Sequence, residues 1–151
     1  MPLNRSFVGR SYPPTAEYAV GREAIRQFAA ALGDQAPACH DPAAARALGH
    51  PDLVAPPTFA ILLVWRADEQ VVRDPELGLD YSSVVHREQQ LTHYRPIYSG
   101  DALTVQVTVA DVRTVMGNDL LVTRDEIATA LGEPVCTATT TLVSRKTGGS
   151  R

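Results

Sequence analysis

The sequence predicts one α+β domain, a long antiparallel sheet wrapped around a single apolar helix. Three observations lead there. Helical periodicity occupies the first half of the chain, while alternation of apolar and polar residues takes over from Ser82 onward. Between them, the run Thr58 to Arg66 has apolar residues on every side, so it needs cover all round. With 151 residues, 44% of them hydrophobic, the chain is large enough to build that cover in one domain without staples.

The elements follow in order. Tyr12-Pro13-Pro14 reads as a loop, and Glu17 to Val20 as a short strand. Arg22 to Leu32 is a helix: Ile25, Phe28, Ala29 and Leu32 fall at i, i+3, i+4 and i+7, Glu23 suits the positive end of the helix dipole, and Gly33 is a natural stop. A small helix follows Asp41, with Pro42 in its first position and Ala43 to Leu48 as its body. The tandem prolines of Leu53-Val54-Ala55-Pro56-Pro57 precede the apolar run, and its charged tail Arg66-Ala67-Asp68-Glu69 favours helix over strand.

Val84 to Tyr94 opens the strand series. Leu103, Val105, Val107 and Val109 then alternate with Thr104, Gln106 and Thr108, which gives a strand with one face on the core. Gly117-Asn118-Asp119 turns into a strand over Leu120 to Thr129, and Gly132-Glu133-Pro134 turns into Val135 to Val143. A four-strand antiparallel meander is the expected result. Lys146 to Arg151 is polar and glycine-rich, a flexible tail beyond a domain of residues 1–145.

Charge and cysteine content narrow the function. A net charge of -3, without a basic arm, gives no footprint for nucleic acid. The run Phe59 to Trp65 is too short to cross a bilayer, and Met1 to Tyr12 has no signal-peptide core, so a cytoplasmic chain with no membrane association is expected. Cys39 and Cys136 are scattered and lack metal-ligand spacing; they read as reduced thiols, and neither a metal nor another cofactor is expected.

The stretch with most chemical content is Gly33-Asp34-Gln35-Ala36-Pro37-Ala38-Cys39-His40-Asp41-Pro42. Asp34, after a helix-ending glycine, reads as a turn former, with a general base as the alternative. Asp41 before Pro42 reads as an N-cap. Cys39 is a nucleophile only if something ionises it, and His40 is its one basic neighbour. Phe59 and Trp65 read as core residues of the apolar helix, a role compatible with lining an apolar ligand pocket. By alternation His86, Gln90 and Thr92 share one strand face, and Arg87, Gln89 and His93 the other. Arg95 shapes a strand end rather than binding an anion.

Taken in order, Gly33-Asp34, Asp41-Pro42, Leu53-Val54-Ala55-Pro56-Pro57-Thr58-Phe59, Val84-Val85-His86, Arg95-Pro96 and Ser99-Gly100-Asp101 resemble the MaoC-like dehydratase family. The likeness runs from Phe7 to Arg145 and is greatest to the A-type subunit of actinobacterial (3R)-hydroxyacyl-acyl-carrier-protein dehydratases. It implies a hot-dog fold, dimers joined sheet edge to sheet edge, and an interfacial tunnel for a pantetheine arm and acyl tail. Catalytic members carry Gly-Asp-x-Asn-Pro-Leu-His-x-Asp-Pro, in which the aspartate and histidine move protons and orient water beside adjacent carbons. In this chain Gly33, Asp34, Pro37, Asp41 and Pro42 match. Ala36 replaces the asparagine, Cys39 replaces the histidine, and His40 falls one position late. Catalytic members also open the central helix with His-Gly-Leu, whose amides polarise the thioester carbonyl. Here Pro56-Pro57-Thr58-Phe59 removes two of those donors and leaves Thr58 and Phe59 to serve.

The resemblance thus implies a substrate-binding, stabilising and non-catalytic subunit of a (3R)-hydroxyacyl-thioester dehydratase. Its ligand would be acyl-ACP or acyl-CoA, and its partner a catalytic MaoC-like chain in a heterodimer. Two alternatives stay open. One is an active enzyme using Asp34 and His40; the other is a homodimeric acyl-thioester binder without chemistry. Cys39, Asp41, Pro57, Thr58, Phe59 and Trp65 are the residues expected to border the ligand.

Overall fold

The computed structural model describes residues 2–145; the expected tail, 146–151, lies outside the described residues. The elements are β1 (Tyr18–Ala19), α1 (Arg22–Leu32), α2 (Pro42–Ala47), α3 (Ala60–Val72), β2 (Val84–His93), β3 (Ala102–Val115), β4 (Asn118–Thr129) and β5 (Pro134–Ser144). All strands join one antiparallel sheet in the order β1-β3-β4-β5-β2. The sheet curls around α3, as a single hot-dog domain.

Helix α1 has the predicted bounds. Gly33 ends it in the left-handed region at φ 74°, where its N–H reaches the carbonyls of Ala29 and Ala30. Ile25 and Ala29 are buried, and Phe28 meets Phe59 edge-on with ring centroids 5.5 Å apart. Leu32, expected on that apolar face, is instead 55% exposed. It occupies the last helical position, and the chain turns away at Gly33 before anything covers it.

The central helix departs from expectation in length and in burial. A 3-10 turn at Pro57–Phe59 leads into α3, which continues through the charged tail to Val72. Ala60, Leu63, Val64, Ala67, Asp68 and Val71 form its buried stripe. The helix is therefore amphipathic, not covered all round. The sheet covers one side, and Leu62 and Trp65 stand exposed on the other, Trp65 by 58%.

The sheet is not a simple meander. Strands β3, β4 and β5 follow one another, but β2 pairs with β5 at the far edge instead of with β3. A β2–β3 hairpin would need a short turn. The intervening segment is long, carries Pro96, and buries Ile97 in the core. Arg95 pins it by a two-pronged ion pair to Asp101 (2.9 and 3.0 Å) and a further bond to Glu133. Arg95 is thus a strand-end anchor, as its sequence context suggested.

Two local details also shift. The β3–β4 turn is Met116-Gly117, both with positive φ, so Asn118 and Asp119 belong to β4 rather than to the turn. In β2 the register slips between His86 and Glu88. That bulge changes the phase of the strand. His86 pairs with Leu142, and Gln89, Leu91 and His93 pair with Thr140, Ala138 and Cys136. His86 therefore shares the helix-facing side with Gln89 and His93, against the alternation expected from sequence.

Candidate functional site

Between α1 and α2 the loop is sewn to itself. Asp34 Oδ1 accepts the Ala36 amide at 2.9 Å, the turn-forming role read from sequence. The His40 ring donates from Nε2 to the backbone carbonyl of Asp34 at 2.8 Å, and Arg26 Nε donates to the His40 carbonyl at 3.0 Å. A carbonyl oxygen only accepts, so Nε2 carries the proton of that bond. Asp41 caps α2 by accepting the Ala43 amide at 2.9 Å, with Pro42 in the first helical position.

Cys39 is buried, its sulfur 4.0 Å from Asp34 Oδ2. Burial pushes its thiol pKa up, and the Asp34 carboxylate adds to that. This is the reverse of what a nucleophilic cysteine needs. The structure therefore brings Asp34, Cys39 and His40 together, but the imidazole is engaged with the Asp34 backbone and not with its carboxylate.

The head of α3 lies beyond this loop. The Phe59 amide donates to the Pro56 carbonyl at 2.9 Å, so it is not free to polarise a ligand. Phe59 itself is fully buried between Phe28 and Tyr18, a core residue. Thr58 and Pro57 are exposed. The Pro57 carbonyl accepts His93 Nε2 at 2.9 Å, while His93 Nδ1 is buried without a hydrogen-bond partner. Val54, Pro56, Pro57, His93, Tyr94 and Arg95 line a hollow of about 430 Å³ there. The position of His93 at this spot is not legible in the sequence, because it depends on β2 lying next to β5.

A larger open cleft of about 820 Å³ runs along the uncovered side of α3. Leu62, Trp65, Val72, Tyr81, Val84 and Leu142 give it apolar walls; Arg66, Glu69, Arg73 and His86 add charge, and Asp68 also lines it. Asp68 is only 5% exposed and Asp125 of β4 is fully buried. Asp125 and the Thr123 and Thr140 hydroxyls are hydrogen-bonding neighbours of Asp68 and favour its ionised form. Burial raises the Asp68 pKa to about 6. Burial, and then the adjacent Asp68 charge, raise Asp125 to about 9. At neutral pH the pair accordingly holds a proton between them.

Neither acid stood out in the sequence. The available signal was positional. Asp68 lies four residues after Val64 and three before Val71, and Asp125 alternates with Leu121, Thr123 and Ile127.

Residues 6–138 match the family model described as FAS1-like, dehydratase domain region. A UPF0336 protein of Saccharopolyspora erythraea is 56% identical over 147 residues, covering 97% of this chain and 94% of that protein. Among solved structures, the C-terminally truncated HadBC (3R-hydroxyacyl-ACP dehydratase) complex from Mycobacterium tuberculosis aligns with a TM-score of 0.81 at 32% identity. That alignment covers 91% of this chain and 96% of the other. A MaoC-like dehydratase aligns with a TM-score of 0.87 at 32% identity; it covers 94% of this chain but 43% of that longer one.

Proposed function

The chain belongs to the family of FAS1-like dehydratase regions, and on that premise we propose that it is the substrate-binding, stabilising subunit of a (3R)-hydroxyacyl-thioester dehydratase. A second hot-dog chain supplies the proton-transfer pair. The observation that carries this reading is the closed loop: the His40 ring is bonded to the Asp34 backbone carbonyl, and a buried, protonated thiol stands where a histidine is required. General acid–base chemistry needs a group free to meet the substrate proton.

The ligand in this reading is an acyl chain on acyl-carrier protein or coenzyme A, handled in the cytoplasm. Cys39, Asp41, Pro57 and Thr58 border the thioester, with the Thr58 amide as the remaining donor at the helix head. Phe59 supports that head from the core, and Asp34 and His40 hold the loop's shape. Trp65 and Leu62 line the acyl tail within the cleft. The partner joins along β2, which ends the sheet with its outer edge unpaired among the described residues. Beside that edge, Val85, Trp65, Tyr81 and Leu62 expose apolar surface of the kind that marks protein interfaces. The likeness to HadBC, itself a complex, supports a two-chain assembly.

The test is enoyl-thioester hydration by the chain alone, by an intact MaoC-like chain alone, and by the two mixed and co-purified. Hydration enhanced only in the co-eluting mixture supports the subunit reading. Full activity from the lone chain overturns it and points to His40 Nδ1 as a working base. Thioester binding by a homodimer without hydration in any mixture would mean a binding module.

A further inference from the structure

Resting on the reading that a catalytic hot-dog chain joins along β2, we propose that His86 is a substrate-binding residue of the partner's active site. It holds an amide carbonyl of the thioester arm while the partner carries out the chemistry.

Within one chain of this fold, the candidate site gathers at one end of β2. His93, the last residue of the strand, bonds to the Pro57 carbonyl at the helix head. The segment leading into that head bonds to the α1–α2 loop, from the Val54 amide to the Ala38 carbonyl at 3.0 Å. His86 lies seven residues back along the strand, about 23 Å away in extended chain. It is out of reach of its own helix head.

Pairing with a second chain changes that. Two chains of one fold that join by the same edge do so about a pseudo-twofold axis, which sets the two strands antiparallel. Centred on the middle of Val84–His93, such pairing puts His86 opposite the partner position equivalent to Leu91. That position is two residues, about 7 Å, from the equivalent of His93 and hence from the partner's helix head.

The bulge in β2 decides which face His86 presents. Unbroken alternation would turn it away from Gln89, Leu91 and His93; the slip between His86 and Glu88 puts it on their side. Directly opposed residues of antiparallel strands share a face. His86 and the equivalent of Leu91 therefore both point to the helix side, where the partner's site lies. Re-aiming a side chain beside an active site is a recurrent use of a bulge.

The ring is exposed, and Nε2 is engaged with the Glu88 carbonyl at 3.2 Å, which leaves Nδ1 for a ligand. His86 favours the ionised form of nearby Asp68, and the same attraction favours the imidazolium, which donates from both nitrogens. A donor here suits a carbonyl oxygen. Free amides at a helix head are best used on the thioester carbonyl, where negative charge develops. The next carbonyl along the arm, that of an amide, falls to His86.

The experiment follows hydration of crotonyl-CoA by the co-purified complex carrying the wild-type chain, His86→Ala or His86→Gln. His86→Ala should raise KM about ten- to hundredfold, the cost of one charge-assisted hydrogen bond. With kcat within a few-fold and co-elution unchanged, that split separates lost arm binding from lost structure. His86→Gln, which still donates, should recover part of the affinity. A fall in kcat at constant KM would place His86 on the reacting carbonyl, and lost co-elution would make it an interface residue. Either result overturns the arm-binding role, as do unchanged kinetics. If the wild-type mixture hydrates no faster than the lone partner, the subunit reading falls and this inference with it.

Discussion

The Cys39 sulfur lies 4.0 Å from Asp34 Oδ2, while the neighbouring imidazole of His40 is bonded to the backbone carbonyl of that same aspartate. One residue thus holds both candidate reactive groups, with different atoms and toward structural ends. Electrostatics follow from that arrangement: an anion beside a buried thiol keeps it protonated.

His40→Ala should therefore act on stability more than on catalysis. Loss of one hydrogen bond costs about 1 kcal/mol, read as a lower midpoint in urea unfolding. Hydration by the two-chain complex should change only a few-fold, whereas losing a proton-transfer residue costs about 10²- to 10⁴-fold. A loss in that larger range would show that His40 works on the substrate.

Trp65→Glu tests the exposed side of α3. Because Trp65 is 58% exposed, the substitution should shift the stability of the isolated chain by no more than about 0.5 kcal/mol. It should abolish co-elution with the catalytic partner, since a carboxylate would then be desolvated in the interface. Unchanged co-elution would move the interface elsewhere.

The buried acids give stability a definite pH dependence. Both hold protons more tightly in the folded chain than at the ordinary aspartate value of 3.8. Their contribution is fully present below about pH 4 and is lost as pH rises through about 6 toward about 9. The groups around them are His86, whose charge favours ionised Asp68, and Glu126, which opposes ionisation of Asp125. Melting temperature should therefore fall between about pH 5 and about pH 9, and the fall should be shallower in Asp125→Asn. Parallel pH profiles for the two proteins would contradict the shared-proton description.

Arg95→Ala should be among the most damaging surface-proximal changes. It leaves Asp101, whose side chain is 15% exposed, without its cation and frees the segment between β2 and β3. A loss of about 3 kcal/mol is expected. Arg95→Lys should recover little, because one ammonium cannot reproduce the two-pronged contact. Chemical denaturation of the three proteins decides it.

Legibility in the sequence followed local pattern. Helix α1, the Asp41 cap and strands β3 to β5 were readable because periodicity and turn residues act over a few positions. The placement of β2 beside β5 was not, since the ladder joins residues as distant as Val84 and Ser144. The phase of His86 was hidden by a bulge that no alternation rule announces. Asp68 was masked by its charged neighbours Arg66 and Glu69, which made a buried position look like a polar helix end. In the loop, the substitutions at Ala36 and Cys39 were visible at once. The attachment of the His40 ring to Asp34 required the folded backbone.

The bond from His93 to the Pro57 carbonyl has a mechanical consequence. His93 is the final residue of the strand that forms the open edge of the sheet, and Pro57 heads the helix the sheet encloses. A neighbouring chain that draws that strand outward or twists it would load this strut directly. The orientation of the helix head would then change with assembly, without any ligand having bound.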